Sequence, residues 1–152
     1  MKKTLLIVLL LIVGCTKEPI NVETTLVERD GIYYTKDTNK PYTGPVFTLY
    51  GNGVKKSEIF LKDGEPDGFY SFWHEDGQIG QQGTYTDGKK DGLIIQWYTN
   101  GQKWSEVTVR GDDKPEGLGT TWYENGQKKQ EQIYKDGELT SEKNWDEDGN
   151  EI

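Results

Sequence analysis

The chain has 152 residues, a formal net charge of −8 and a mean hydropathy of −0.84. Only 32% of its residues are hydrophobic, which favours a thin, well-hydrated sheet over a thick globular core. The acidic balance repels nucleic acid at long range, so we expect no nucleic-acid partner. A single cysteine excludes an intramolecular disulfide.

The N-terminus predicts export and a lipid anchor. Two lysines precede an unbroken apolar run from Leu5 to Val13, which as a helix is about 13 Å long and too short to span a bilayer. A charged start followed by a short apolar run is typical of a removable signal peptide. The run ends in Ile12-Val13-Gly14-Cys15, which resembles the bacterial lipobox. The resemblance implies cleavage before Cys15 and acylation of that residue.

We therefore predict a signal peptide at residues 1–14 and a lipidated tether at residues 15–30. A repeat domain at residues 31–152 follows. Removal of the signal peptide leaves 16 basic and 26 acidic residues, a net charge of −10. The predicted location is the cell envelope, with the membrane bound through the lipid on Cys15. Thr16 follows the cysteine, and its resemblance to enterobacterial sorting signals implies the outer membrane if the organism has one.

Four tandem copies of one segment occupy most of the mature chain. The copies begin at Gly44, Gly68, Gly92 and Gly117, at spacings of 24, 24 and 25 residues. A fixed period of this size indicates a stacked-repeat architecture. Each copy contains a strand-like run, an Asn-Gly or Asp-Gly turn and a second strand-like run. The four turns are Asn52-Gly53, Asp76-Gly77, Asn100-Gly101 and Asn125-Gly126.

These turns predict hairpins with type I′ geometry, which needs positive φ at both central residues. The second strands are predicted at residues 55–62, 79–86, 103–110 and 128–135. A second turn closes each copy, as at Asp63-Gly64. A partial fifth copy contains Trp145 and Asp148-Gly149 in register, and we expect it to cap the last edge.

Alternate positions of the first strands define two faces. One face is the more apolar and ends each strand in Leu or Trp; the other is mixed and ends mostly in Tyr. Because one hairpin is marginally stable in water, the copies must pair edge to edge. We predict an all-β fold, an elongated antiparallel meander of about 24-residue β-hairpin repeats curved into a gutter.

Residues 122–129, Trp-Tyr-Glu-Asn-Gly-Gln-Lys-Lys, followed by Tyr134-Lys-Asp-Gly137, resemble the bacterial MORN-repeat variant. The segment from Gly92 to Lys103 is a second good match, and the resemblance extends over residues 30–149. It implies a MORN-like single-layer curved sheet. Many bacterial proteins with such repeats are labelled YwqK-family antitoxins, so the resemblance also implies a toxin partner. Copy two departs from the pattern at His74, Gly80 and Gly83.

The candidate catalytic and metal-binding groups favour structural roles. His74 occupies a position that holds Tyr in the other copies, and one His without a free Cys excludes the usual zinc sites. Asp67, Asp91 and Glu116 each precede an opening glycine, and this recurrence favours turn capping over glycosidase chemistry. The Asp146–Glu151 segment departs from the EF-hand order. We predict no enzyme activity, no cofactor and no metal.

The aromatic rows are the candidate binding surface. They recur at the repeat spacing and comprise Tyr50, Tyr98 and Tyr123 with Trp73, Trp97 and Trp122. Cross-strand packing is the structural alternative. Exposed rings would instead bind a protein or a glycan.

The leading hypothesis is a membrane-anchored lipoprotein whose repeats act as a non-enzymatic protein-binding or scaffold module. The alternatives are an antitoxin or immunity protein that neutralises a cognate toxin, and a cell-wall or glycan-binding module.

Overall fold

The computed structural model describes residues 17–111 and 113–152. These residues form strands and one short helix, α1, at Val22–Thr25. The strands are β1 Ile20–Asn21, β2 Leu26–Arg29, β3 Ile32–Thr35, β4 Gly44–Leu49, β5 Lys55–Lys62, β6 Glu65–Trp73, β7 Ile79–Thr86, β8 Lys89–Lys90, β9 Gly92–Trp97, β10 Lys103–Arg110, β11 Lys114–Trp122, β12 Lys128–Lys135 and β13 Glu138–Asn144. The all-β prediction is confirmed.

From β4 onward the main sheet is an open antiparallel meander, and β1 adds a parallel strand at the β4 edge. Its order is β1-β4-β5-β6-β7-β9-β10-β11-β12-β13, and β8 extends the pairing with β7. The predicted bounds of all four second strands are confirmed, since β5, β7, β10 and β12 begin and end at the predicted residues. Consecutive pairing follows from the short turns, which return each strand beside the one before it.

The predicted type I′ geometry was assigned to the wrong set of turns. At Asn100-Gly101 only the glycine has positive φ, Gly101 N–H donates to Tyr98 O at 3.0 Å, and Tyr98 N–H donates to Gln102 O at 2.9 Å. This pattern is a type I turn followed by a glycine bulge, and it recurs in every copy. The type I′ signature lies instead in the Asp-Gly turns that close copies one, two and four, where both residues have positive φ, as in Asp63 (51°) and Gly64 (87°).

An Asn side chain explains the choice of turn. Asn100 Oδ1 accepts a hydrogen bond from Gln102 N–H at 2.9 Å, and Asn52 and Asn125 make the same contact two residues onward. This local bond stabilises negative φ at the Asn and leaves the left-handed position to the glycine. Sequence alone could not separate the two geometries, because Asn-Gly satisfies both.

The N-terminal segment packs on the sheet instead of forming only a tether. Within the expected tether, β1 pairs in parallel with β4, and β2 pairs with β3 in a separate two-stranded sheet. Leu26 is buried with Tyr42, Val46 and Leu61 in one cluster. The apolar residues of this short segment therefore cover one edge and part of one face of the meander. Residues 1–16, including the predicted signal peptide and Cys15, lie outside the described residues.

The buried face of the sheet is the mixed face, whose strands end mostly in Tyr, and not the face that is more apolar in sequence. Cross-strand register places Val46, Tyr70, Ile94, Leu61 and Val109 on one side of the sheet, and all five are buried. We call this side the tyrosine face. The opposite side, which carries the Trp row and most of the exposed large apolar side chains, is the tryptophan face. The apolar content of the strands does not predict which face is buried, because the N-terminal segment and the large rings cover the tyrosine face.

Two glycines on the tyrosine face explain why copy two departs from the repeat pattern. A Cβ added at Gly83 would lie 2.8–2.9 Å from the Tyr70 ring, and one at Gly80 would lie 3.1 Å from the His74 ring. The glycines therefore make room for the two rings.

Tyr70 is fully buried, packs at 4.8 Å from Tyr85 and accepts a hydrogen bond from Gln81 Nε2 at 3.2 Å. Burial, with the nearby Tyr85 and Asp113, raises the pKa of Tyr70 to about 12.

Gly83→Ala should destabilise the protein by about 1–3 kcal/mol, because the new methyl group overlaps the packed Tyr70 ring. The matched control is Gly119→Ala, where an added Cβ makes ordinary contacts at 3.4 Å. It should be neutral or stabilising by up to about 1 kcal/mol, since alanine restricts the unfolded chain. Urea denaturation of both variants measures the difference. Equal effects would contradict the packing described for Tyr70.

Candidate binding surface

The row of aromatic residues beside the turns links each copy to the next. Each side chain hydrogen-bonds the backbone carbonyl of the Trp in the following copy. The four bonds are Tyr50 Oη to Trp73 O at 2.7 Å, His74 Nε2 to Trp97 O at 3.0 Å, Tyr98 Oη to Trp122 O at 2.9 Å and Tyr123 Oη to Trp145 O at 2.9 Å. The Tyr row thus has a structural role within the sheet.

His74 makes the same link to the next copy that a tyrosine makes elsewhere in this row. A carbonyl oxygen only accepts hydrogen bonds, so the bond to Trp97 requires the proton on His74 Nε2. Gly80 gives the imidazole ring its space. The structure therefore supports the interpretation of His74 as a repeat variant.

The Asn side chains of the turns form a second link between copies. Their Nδ2 groups donate to backbone carbonyls of the next turn: Asn52 to Glu75 O at 3.1 Å, Asn100 to Glu124 O at 2.9 Å and Asn125 to Glu147 O at 3.0 Å. Copy two has Asp76, which cannot donate, and Gln78 Nε2 instead reaches Thr99 O at 2.6 Å. Every junction between adjacent copies thus keeps a side-chain bridge near the turns.

The Trp row lies on the opposite face, and lysines lie over three of its rings, those of Trp73, Trp122 and Trp145. The ammonium groups stand over the rings at 5.3 Å for Lys55 and Trp73, 5.0 Å for Lys103 and Trp122, and 4.9 Å for Lys128 and Trp145. Each of these lysines also pairs with a glutamate three residues onward, at 2.6 Å, 2.7 Å and 2.5 Å. Copy two has Ile79 and Gln82 at the corresponding positions.

These contacts limit what the Trp rings offer to a partner. An exposed cation–π contact contributes about 0.5–1 kcal/mol, and an exposed ion pair contributes a similar or smaller amount. The lysines nevertheless lie over faces that a glycan or a partner side chain would need. Both predicted rows therefore take part in contacts within the sheet.

The tryptophan face also carries a row of exposed apolar side chains that the sequence analysis did not identify as a binding surface. Register aligns Phe69 with Thr84, Leu93 with Thr108, and Leu118 with Ile133, in a line that crosses the strands. Five members are between 40% and 58% exposed. They are Phe60, Phe69, Leu93, Leu118 and Ile133. We call these five residues the apolar row. The signal was present in sequence as the residue after each opening glycine, but the large residues nearer the turns masked it.

Concave surface lies at the N-terminal end of the apolar row. A cavity of about 600 Å³ between Lys17–Pro19 and β4–β5 is lined by Pro45, Glu58 and Phe60. A neighbouring cavity of about 400 Å³ shares those three residues and continues to Phe69 and Trp73. The N-terminal segment forms one wall, and Lys17 Nζ fixes it by donating to Thr43 O at 2.8 Å.

The carboxylates considered for chemistry are engaged in the fold or separated from one another. Glu116 Oε2 accepts from Asp136 N–H at 3.0 Å, which supports the turn-capping interpretation, and Asp67 lies 3.6 Å from Lys62 Nζ. Asp146 accepts hydrogen bonds from the Asn150 side chain, from Asn150 N–H and from Asp148 N–H, and these bonds lower the pKa of its carboxyl group. Across residues 17–111 and 113–152, no group of three or more His, Cys, Asp or Glu residues is arranged to hold a metal.

Among residues 17–111 and 113–152, no helix has the length and apolar character needed to cross a bilayer.

Comparison with known proteins supports the repeat assignment. Residues 90–110 and 115–136 match the family model of the MORN repeat variant, which identifies two adjacent copies as repeats of this kind. No curated protein matches the chain.

A solved structure described as the crystal structure of the GtfA/B complex bound to UDP and GlcNAc is similar over 81% of this chain and 26% of its own. The identity is 7% and the TM-score 0.39, so the likeness carries no functional argument. The chain spans about a quarter of that structure's length.

Tyr98→Phe should destabilise the sheet by about 1–2 kcal/mol, because it removes a hydrogen bond and leaves the Trp122 carbonyl without its partner. Chemical denaturation monitored by fluorescence measures the loss. Tyr34→Phe is the control, since the Tyr34 hydroxyl makes no hydrogen bond with the described residues. A loss at Tyr98 no larger than at Tyr34 would contradict the linking role of the Tyr row.

Proposed function

We propose that this protein is a membrane-anchored bacterial lipoprotein whose MORN-variant repeats bind another protein without catalysis. The observation that carries the proposal is the apolar row, a line of five exposed large side chains across the tryptophan face. Contiguous exposed apolar surface on a water-soluble sheet marks an interaction site. A repeat sheet suits this role because it presents one extended surface without an enclosed pocket.

The surroundings of the apolar row favour a protein partner. Large apolar side chains in the centre of a contact, bordered by polar groups, are the usual composition of a protein interface. On one side of the row lie Glu58, Glu106 and Glu131, each paired with a lysine. On the other side Lys62 pairs with Asp67. The row therefore has polar borders in which many of the charges are already compensated within the sheet.

The anchor is supported by the N-terminal sequence and by the path of the described chain. The expected lipid site, Cys15, precedes Lys17 by two residues, and Lys17 is tied to the β4 end of the sheet. At about 4.8 Å per strand, the ten strands of the main path extend roughly 40 Å from that end. A lipid at Cys15 would therefore leave the far copies able to reach a partner away from the membrane.

Two alternatives use the same surface differently. An antitoxin or immunity protein, as the YwqK-like repeats imply, would bind a single toxin. An exported, anchored protein meets only a toxin that is secreted or enters the envelope, so location separates this alternative from a cytoplasmic antitoxin. A cell-wall or glycan-binding module would depend on aromatic rings, and the lysine-covered Trp row makes it the weaker use of the tryptophan face.

The combined variant Phe69→Ser, Leu93→Ser and Leu118→Ser should reduce recovery of the partner by about tenfold or more, because the centre of the interface loses its apolar anchors. Recovery is measured by mild crosslinking in cells and quantitative mass spectrometry. Each exposed substitution should change stability by less than about 0.5 kcal/mol.

Leu139→Ser is the matched control, since Leu139 is similarly exposed but pairs with Tyr134, on the tyrosine face. Equal recovery with all variants would exclude the apolar row as the binding surface. Recovery of one small exported toxin would select the immunity alternative.

Cys15→Ser should abolish acylation and leave a soluble or unprocessed protein, because the lipid is the expected anchor. Cell fractionation and intact-mass measurement test this, with Thr16→Ala as a control that keeps the modified residue. Mature Cys15→Ser protein that remains in the membrane fraction would contradict the lipoprotein proposal.

A further inference from the structure

A cavity of about 320 Å³ opens on the tyrosine face at copies three and four, away from the apolar row. Its walls come from β10, β11 and β12 and include Trp104, Val107, Gly119 and Tyr134. Its volume lies at the lower end of the range for small-molecule sites, roughly 300–1,000 Å³. No part of the proposed function uses this cavity.

At the wall of this cavity, copy four lacks a side chain that the other copies have. The second residue after the opening glycine is Val46, Tyr70 and Ile94 in the first three copies and Gly119 in the fourth. Val46, Tyr70 and Ile94 are buried and fill the tyrosine face.

The gap at Gly119 differs from the gap at Gly83. A ring fills the space above Gly83, since an added Cβ would meet Tyr70 at 2.8 Å. Above Gly119 the nearest atoms to an added Cβ, Tyr134 Cε2 and Val107 Cγ2, are both 3.4 Å away. The glycine therefore gives a packed ring its space in copy two. In copy four it lines the cavity, with room for a Cβ in ordinary contact with Tyr134 and Val107.

A second departure from the repeat places an indole at the same cavity. The third residue after the turn glycine is Lys56 in copy one and Lys129 in copy four, and each lies over the Tyr of its own copy at 5.7 Å and 5.3 Å. Copy three has Trp104, which is 44% exposed and lies 6.3 Å from the Tyr98 ring. Unlike Trp73, Trp122 and Trp145, it has no lysine over its ring among the described residues.

Polar groups of three kinds also line the cavity. Gln132 supplies an amide, held in place because its Oε1 accepts from Tyr134 Oη at 2.7 Å and its Nε2 donates to Glu142 at 2.9 Å. Thr121 supplies a hydroxyl and Asp113 a carboxylate. An aromatic plane next to amide, hydroxyl and carboxylate groups suits a ligand with one C–H-rich face and a rim of hydroxyls.

We propose that this cavity is a subsite for one ring of an uncharged oligosaccharide, which stacks on Trp104 and hydrogen-bonds Gln132 and Thr121. The open mouth lets the rest of the glycan continue into solvent. An anionic sugar is disfavoured because Asp113 lines the cavity and the chain has a net charge of −8.

The test is isothermal titration of the full-length protein, solubilised in a detergent without a sugar headgroup, with chitotetraose and with cellotetraose as probes. Saturable binding of at least one probe is expected. Trp104→Lys, which installs the residue of copies one and four, should weaken that binding by about tenfold or more. Gly119→Ile, which installs the residue of copy three, should fill the cavity and have the same effect without lowering the melting temperature.

Leu118→Ser is the control, because Leu118 is adjacent in sequence to Gly119 but belongs to the apolar row on the other face. It should leave sugar binding unchanged, so a failure of the saccharide site and a failure of the protein-binding proposal give different results. Absence of binding by both probes at millimolar concentration would overturn the proposal. Binding that survives both Trp104→Lys and Gly119→Ile would also overturn it.

Discussion

The hydrogen bond from each turn-side aromatic residue to the Trp carbonyl of the following copy is the interaction on which the rest of the sheet depends. The bonds span 2.7–3.0 Å and recur at every junction from Tyr50 to Trp145. Backbone pairing alone would hold neighbouring strands together. The side-chain bonds, with the Asn bridges beside them, also join each hairpin to the next at the turn end, so that register is fixed for the whole array.

Because the register is the same in every copy, the two faces of the sheet differ in role: one is packed and the other is open to solvent. On the tyrosine face, rings and aliphatic side chains fill the surface, and the N-terminal segment covers the cluster around Leu26. On the tryptophan face, the lysines and glutamates occupy the turn side of the sheet, which leaves the apolar row as its open apolar surface. An open single-layer sheet must bury one side to be stable, and the unburied side is then available for contact.

The informative positions are those where one copy differs from the others. At His74 the change is compensated, since Gly80 gives space to the ring and the junction bond is preserved. At Asp76 the neighbouring Gln78 replaces the lost amide donor. At Gly119 and Trp104 no such compensation occurs, and a cavity with an exposed indole results. In a repeat protein, a compensated departure indicates selection for the scaffold, whereas an uncompensated one indicates a separate role.

The sequence by itself determined the repeat period, the bounds of the second strands and the antiparallel meander, because these depend on local turn residues and strand alternation. It also indicated that Tyr and Trp form two rows on opposite faces. Only the tertiary structure decided which Gly-containing turns are type I′, because Asn-Gly and Asp-Gly suit more than one geometry. The tertiary structure also decided that residues 20–29 pack on the sheet and that lysines lie over three of the Trp rings. Burial and side-chain contact depend on neighbours that are well separated in sequence, such as Lys103 and Trp122, and no local pattern records them.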